Sequence, residues 1–162
     1  MENPGSRAGR LTRREILALD VATTTGYFSL HGSGTWNFSE KLSRNSRKQH
    51  KSFRDTLLDF ITQHGIRKIV AEDISVNNHF TDIKKLSEFR GILLEVCDTL
   101  DLPEPEFVNV TALKKFATGN GRATKPEMMA ACVNHYRFRP RTHDEADAFL
   151  LFHYYCRKWR IN

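Results

Sequence analysis

The chain has 162 residues, enough for one domain of ordinary size, and its hydrophobic content of 40% suits a sheet covered by helices. No apolar run approaches the roughly 20 residues of a membrane span, so no membrane association is expected. A net charge of +6 favours a polyanionic partner, nucleic acid foremost, through phosphate neutralisation and counterion release.

Residues 1–14 are rich in arginine, with proline and glycine, and read as a flexible basic arm. That arm is equally compatible with phosphate contact and with solvated charge. It lacks the apolar core of a secretory signal, so the expected location is the cytoplasm or the DNA-containing compartment of a host, not the exterior. The remainder, 15–162, reads as one domain.

Residues 16–21 form a continuous apolar run closed by acid and valine, the pattern of a central strand covered on both faces. Thr23-Thr24-Thr25-Gly26 reads as a turn. Residues 27–30 and 35–38 read as two short strands separated by His31-Gly32-Ser33-Gly34, which completes an antiparallel meander. A helix is expected over 45–64, with Phe53, Leu57, Leu58 and Ile61 at helical spacing and Gly65 as its C-cap. Residues 68–71 give a second buried strand, closing on Glu72 and Asp73, and 75–80 a polar loop.

The longest helix is expected over 82–100, with Ile83, Leu86, Phe89, Leu93, Val96, Cys97 and Leu100 as its apolar stripe. A strand at 107–110 follows. Thr111 reads as the N-cap of a short helix ending near Phe116. Thr124 and Glu127 form a capping-box pattern with Pro126 in the first turn, and Thr142 with Glu145 opens the last helix. The order β-β-β-α-β-α-β-α-α-α predicts an α/β domain: a five-stranded mixed sheet, made of a three-strand meander plus two further strands and flanked by helices. The three cysteines, Cys97, Cys132 and Cys156, form no C-x-x-C pair and sit in apolar helical patterns, so they read as small buried hydrophobes.

Four carboxylates stand where elements end or begin. Asp20 closes the first strand and Glu72 the fourth, both at the end of an apolar run, where α/β sheets gather ligands. Asp144 and Asp147 lie three apart at the start of the last helix and share a face. Each has an ordinary explanation alone, as a helix-dipole partner, a turn residue or surface charge. Together, clustered acids repel unless a cation neutralises them. Oxygen-only ligands suit Mg²⁺ or Mn²⁺, and two such ions can flank a phosphodiester during hydrolysis.

The segments ILALDVATTTGY, VAED, NVTALKKFATGNGRATKPEMM and HDEADAFLLF resemble, in order and over most of the chain, the motifs of RuvC-type Holliday junction resolvases. The short first turn, with Val21-Ala22 after the acid, is closest to phage-encoded relatives. The resemblance implies an RNase H-like fold and a Mg²⁺-dependent endodeoxyribonuclease, with two ions per site, acting on four-way junctions or related branched DNA. It assigns Asp20, Glu72, Asp144 and Asp147 as catalytic metal ligands, with His143 as a further candidate. It places Lys114 and Lys125 near the scissile phosphate, with Lys115 and Arg122 as further DNA contacts. Ser75 stands where well-known members carry a junction-wedging aromatic, and Phe80, later in the loop, is the candidate substitute.

A homodimer is also expected. Ile92 and Leu94 extend the apolar surface of the 82–100 helix beyond its stripe, Gly91 permits close approach, and Leu86, Phe89, Ile92 and Leu93 are the candidate interface. Two identical sites also suit two symmetric nicks. Competing readings are a sugar-kinase-like phosphate loop at Asp20 to Gly26, a non-catalytic DNA-binding domain of this fold, and a nuclease for flaps, forks or RNA.

Overall fold

The computed structural model describes residues 9–39 and 46–162. Most of the proposed arm, and position 45 at the expected start of the first helix, therefore lie outside the described residues. Strands β1 (Ile16–Asp20), β2 (Thr24–Ser29), β3 (Gly32–Asn37), β4 (Lys68–Glu72) and β5 (Glu106–Val108) form one sheet in the order β3-β2-β1-β4-β5. The first three pair antiparallel, and β1 with β4 and β4 with β5 pair parallel. The sheet is mixed, as the sequence predicts.

In β1 the period-2 geometry of a strand does the sorting. Ile16 and Ala18 face one core and Leu17 and Leu19 the other, and all four are fully buried. The first core packs under α3 (Val110–Thr118), α4 (Lys125–Tyr136) and α5 (His143–Lys158); the second packs under α1 (Ser46–His64) and α2 (Phe80–Thr99). The cysteines are free and buried.

Several boundaries shift for local reasons. The β2–β3 turn is only Leu30-His31, and the Gly32-Ser33-Gly34 segment, read as a loop, is hydrogen-bonded into β3 opposite Ser29 to Tyr27. Asn109, not Thr111, caps α3, its side chain accepting from the Thr111 and Ala112 amides at 2.8 and 3.4 Å. The Asn side chain reaches two free amides at once, so the helix starts earlier. Phe80 begins α2 instead of ending a loop. At α4 the capping box forms as expected: the Thr124 amide donates to Glu127 Oε2 at 2.6 Å and the Glu127 amide to Thr124 Oγ1 at 3.4 Å.

Arg10 and Arg13 are tied to the residues that follow α5. Arg10 Nη2 donates to the Arg160 carbonyl at 3.2 Å and Arg13 Nε to the Ile161 carbonyl at 2.9 Å. The assignment of α2 residues to an interface needs correction. Phe89 and Leu93 are fully buried in the core under α1 and α2, and Ile92 packs against that same core. Phe89 and Leu93, enclosed by their own chain, have no surface to offer a second copy, whereas Ile92 is only partly buried. Leu86 remains partly exposed.

Candidate active site

The parallel register of β1 and β4 sets Leu19 opposite Ala71, so the next residues, Asp20 and Glu72, end side by side at the sheet's rim. Helix α5 brings the rest. Its N-cap is Thr142, whose hydroxyl accepts from the Glu145 amide at 3.1 Å, and its first turns lie across β1 and β2. That docking carries Asp147 to the same rim. Ligand atoms of Asp20, Glu72 and Asp147 all lie within 4.8 Å of one another. Asp144, one turn earlier on the same face, lies outside that group of three, but its charge adds to the rise of the Asp20 carboxyl.

A cleft of about 790 Å³ opens beside these acids. Asp20 and Glu72 form one wall, with Lys114, Thr111 and Arg122 from the α3 region and Leu86 and Arg90 from α2 forming others. The electrostatics show what the cluster lacks. Desolvation, and then the charges of Glu72, Asp147 and Asp144, hold the Asp20 carboxyl well above the usual range. Burial and the neighbouring Asp147 push Glu72 up to about 8, and burial with Asp144 pushes Asp147 up to about 6. Glu72 Oε2 is buried without a hydrogen-bond partner among the described residues. Crowded carboxylates, one with an orphaned oxygen, are a donor set for a hard divalent cation.

No family model matches the sequence, and no curated protein matches it either. Solved structures do match. Thermus thermophilus RuvC superposes with a TM-score of 0.70 at 13% identity, over 90% of this chain and 96% of that one. T. thermophilus RuvC in complex with Holliday junction substrate gives 0.70 at 14%, over 89% and 95%. The fold is RuvC-like. The yeast mitochondrial Holliday junction resolvase is a more distant likeness, at a TM-score of 0.58 and 11% identity over 91% of this chain and 85% of that one. At these identities the likeness is one of fold.

Within this RuvC-like frame the other candidate residues separate. Lys114 lines the cleft, and its charge acts on both Glu72 and Asp147; Lys125 acts on Asp147. Arg122 is exposed at the cleft, and Lys115 is exposed outside its lining. His143 is exposed and lies outside the carboxylate cluster. Phe80 is 74% exposed at the first position of α2, and Val76 in the preceding loop is 90% exposed.

One cleft residue went unread in the sequence. Arg90 ion-pairs with Asp73, and its guanidinium lies 3.6 Å from the centre of the Phe107 ring. Asp73 directly follows Glu72, and its amide donates to the Val108 carbonyl at 2.8 Å. The clip therefore ties α2 and β5 to the strand end that carries an acid. An arginine between Leu86 and Leu93 on one helix face was the available signal, because charge in an apolar stripe needs a partner.

The raised acids predict how stability depends on pH. Glu72 titrates near 8 when folded, against the usual 4.5. The folded chain therefore keeps a proton that the unfolded chain releases, and the stability this confers below about pH 4.5 is lost as pH rises towards 8. In chelator, Tm should fall by several degrees between about pH 5 and pH 8, since 1 kcal/mol moves Tm by about 2–4 °C at this size. Glu72→Gln should flatten that fall, and saturating Mg²⁺ should reverse it in the unaltered chain. Thermal melts across the pH series measure this, and equal slopes for the two chains would refute the reading.

Proposed function

We propose that the protein is a structure-selective DNA endonuclease that resolves four-way junctions by paired, divalent-metal-dependent phosphodiester hydrolysis. The observation that carries this reading is the convergence of Asp20, Glu72 and Asp147 within 4.8 Å beside a cleft that Lys114 and Arg122 also line. The fold, shared with RuvC including a RuvC bound to Holliday junction substrate, supports it.

In this reading Asp20, Glu72 and Asp147 hold Mg²⁺ or Mn²⁺, two ions per site, with Asp144 as the fourth acid beside them. Bound there, the metal would polarise a phosphoryl oxygen and lower the pKa of an attacking water. The chain's own groups do the rest. Lys114 and Lys125 offset the negative charge around Glu72 and Asp147, so that a phosphate can approach. Arg122 and Lys115 bind the strand further out. Phe80, standing proud at the start of α2, stacks on a base at the branch point, a contact worth about 1–3 kcal/mol. His143, exposed at the start of α5 next to Asp144, serves as an outer polar contact.

Two symmetric cuts call for a two-fold pair. With Phe89 and Leu93 turned inward, the partly exposed Ile83 and Leu94 fall in line with Gly91, where an added β-carbon would meet nothing within 4 Å. Positions 83, 87, 91 and 94 share one side of a helix. That side is the proposed dimer face, continued by Leu86 at the cleft. The test uses a supercoiled plasmid extruding a cruciform. Paired cutting gives linear product, and Leu94→Glu, folded but monomeric by light scattering, should give nicked circles instead. Linear product from a proven monomer would refute the pairing, and no cleavage with any divalent ion would refute the function.

A further inference from the structure

The loop from α4 to α5 carries a second basic surface, separate from Lys114 and Lys125. Its sequence is Arg137-Phe138-Arg139-Pro140-Arg141, and it leads through Thr142 straight into the helix that bears Asp144 and Asp147. The residues alternate in direction. Arg137, Arg139 and Arg141 are exposed, whereas Phe138 and Pro140 are partly buried. Phe138 is stacked on Phe149 of α5 with ring centres 4.1 Å apart, and meets Phe28 of β2 edge-on at 5.8 Å. Its amide donates to the Cys132 carbonyl at 3.1 Å. At the far end, the Arg141 amide donates to Glu145 Oε1 at 2.9 Å, and Glu145 is only 1% exposed. The loop's backbone is therefore pinned at both ends with its guanidiniums pointing out.

Those charges are scarcely neutralised. Neither Arg137 nor Arg139 has an ion pair among the described residues. Arg141 Nη2 lies 3.9 Å from Glu145 Oε2, and its side chain stays 81% exposed. Arg157, exposed near the end of α5, adds a further charge that acts on Tyr136 beside Arg137. Tyr136 stacks on His153 at 4.4 Å, ten residues along α5 from His143. Ten helical residues span about 15 Å. That corresponds to about four base pairs at 3.4 Å per step.

We propose that Arg137, Arg139 and Arg141 form a phosphate track that grips the duplex arm running from the cut site along α5. The proposal rests on the reading of the acids as a DNA-cleaving centre, and it adds the element that holds the flanking duplex. Three like charges held on a fixed backbone repel one another, and a polyanion with regularly spaced phosphates relieves that repulsion. Guanidinium forks suit phosphate oxygens, to which they donate in pairs.

The experiment compares the unaltered chain with R137Q/R139Q/R141Q on a four-way junction with long arms, measuring Kd across a salt series and cleavage in Mg²⁺. The slope of log affinity against log salt should drop by about two to three units, at about 0.9 per phosphate contact. Kd should rise at least about tenfold at physiological salt, and the loss should fall on KM far more than on kcat. Neutral methylphosphonate linkages within four base pairs of the cut should weaken the unaltered chain and leave the triple variant nearly unaffected. If the triple variant does not fold, R139Q alone should remove about one unit of slope. An unchanged slope, or equal sensitivity of both chains to methylphosphonates, overturns the track. Junction binding with the expected slope loss but no cleavage would overturn the resolvase reading and leave the track standing. Normal cleavage with an unchanged slope would do the reverse.

Discussion

Asp147→Asn should abolish junction cleavage while junction binding survives, and Asp20→Asn, Glu72→Gln and Asp144→Asn should do the same. The expected fall in single-turnover rate is at least about a thousandfold, equivalent to about 4 kcal/mol of transition-state stabilisation. The reason is geometric. Asp20, Glu72 and Asp147 converge within 4.8 Å, so no neighbour replaces a missing oxygen without moving a strand end or α5. Binding should persist because an amide is nearly isosteric, adds no clash and reduces repulsion towards phosphate. The same variants should bind Mn²⁺ more weakly by calorimetry without DNA, a readout independent of cleavage. Two or more variants cutting near the normal rate would place the chemistry elsewhere.

Gly26→Ala should be nearly as damaging, although Gly26 carries no functional group. It pairs with Asp20 in the β1–β2 ladder and lies directly beneath the start of α5. A β-carbon added there would stand 2.0 Å from the Asp144 carbonyl oxygen and 2.2 Å from its carbonyl carbon. Backbone cannot rotate away as a side chain can, so α5 must lift from the sheet. The expected cost is about 3 kcal/mol or more, at the upper end for overpacking. Because the lifted segment holds Asp144 and Asp147, displacement by even about 1 Å should lower kcat by a further hundredfold or so in whatever fraction folds. Chemical denaturation together with single-turnover kinetics on the soluble fraction measures both. A variant of normal stability and rate would mean that α5 does not pack as closely as described.

These two sites show where the sequence was legible. Asp20 and Glu72 could be placed because each closes a short apolar run, and a strand buried on both faces cannot sit at the edge of a sheet. Thr124 and Thr142 could be read as helix starts because capping is local chemistry within one turn. Gly26 reads in sequence as part of a turn, yet it lies inside β2 and is required by α5, more than a hundred residues away. Similarly, the apolar stripe of α2 is visible at helical spacing, but the packing of α1 decides that Phe89 and Leu93 turn inward. The Asp73–Arg90–Phe107 clip joins three separate elements and has no local pattern at all.

The most direct test of the central claim is one cleavage assay. End-labelled four-way junction, replication fork, linear duplex and RNA–DNA hybrid are each incubated with the protein, with Mg²⁺ and with chelator. The account predicts Mg²⁺-dependent, symmetrically placed nicks in the four-way junction and little cutting of linear duplex. Cleavage that persists in chelator, or linear duplex cut as fast as junction, would contradict it.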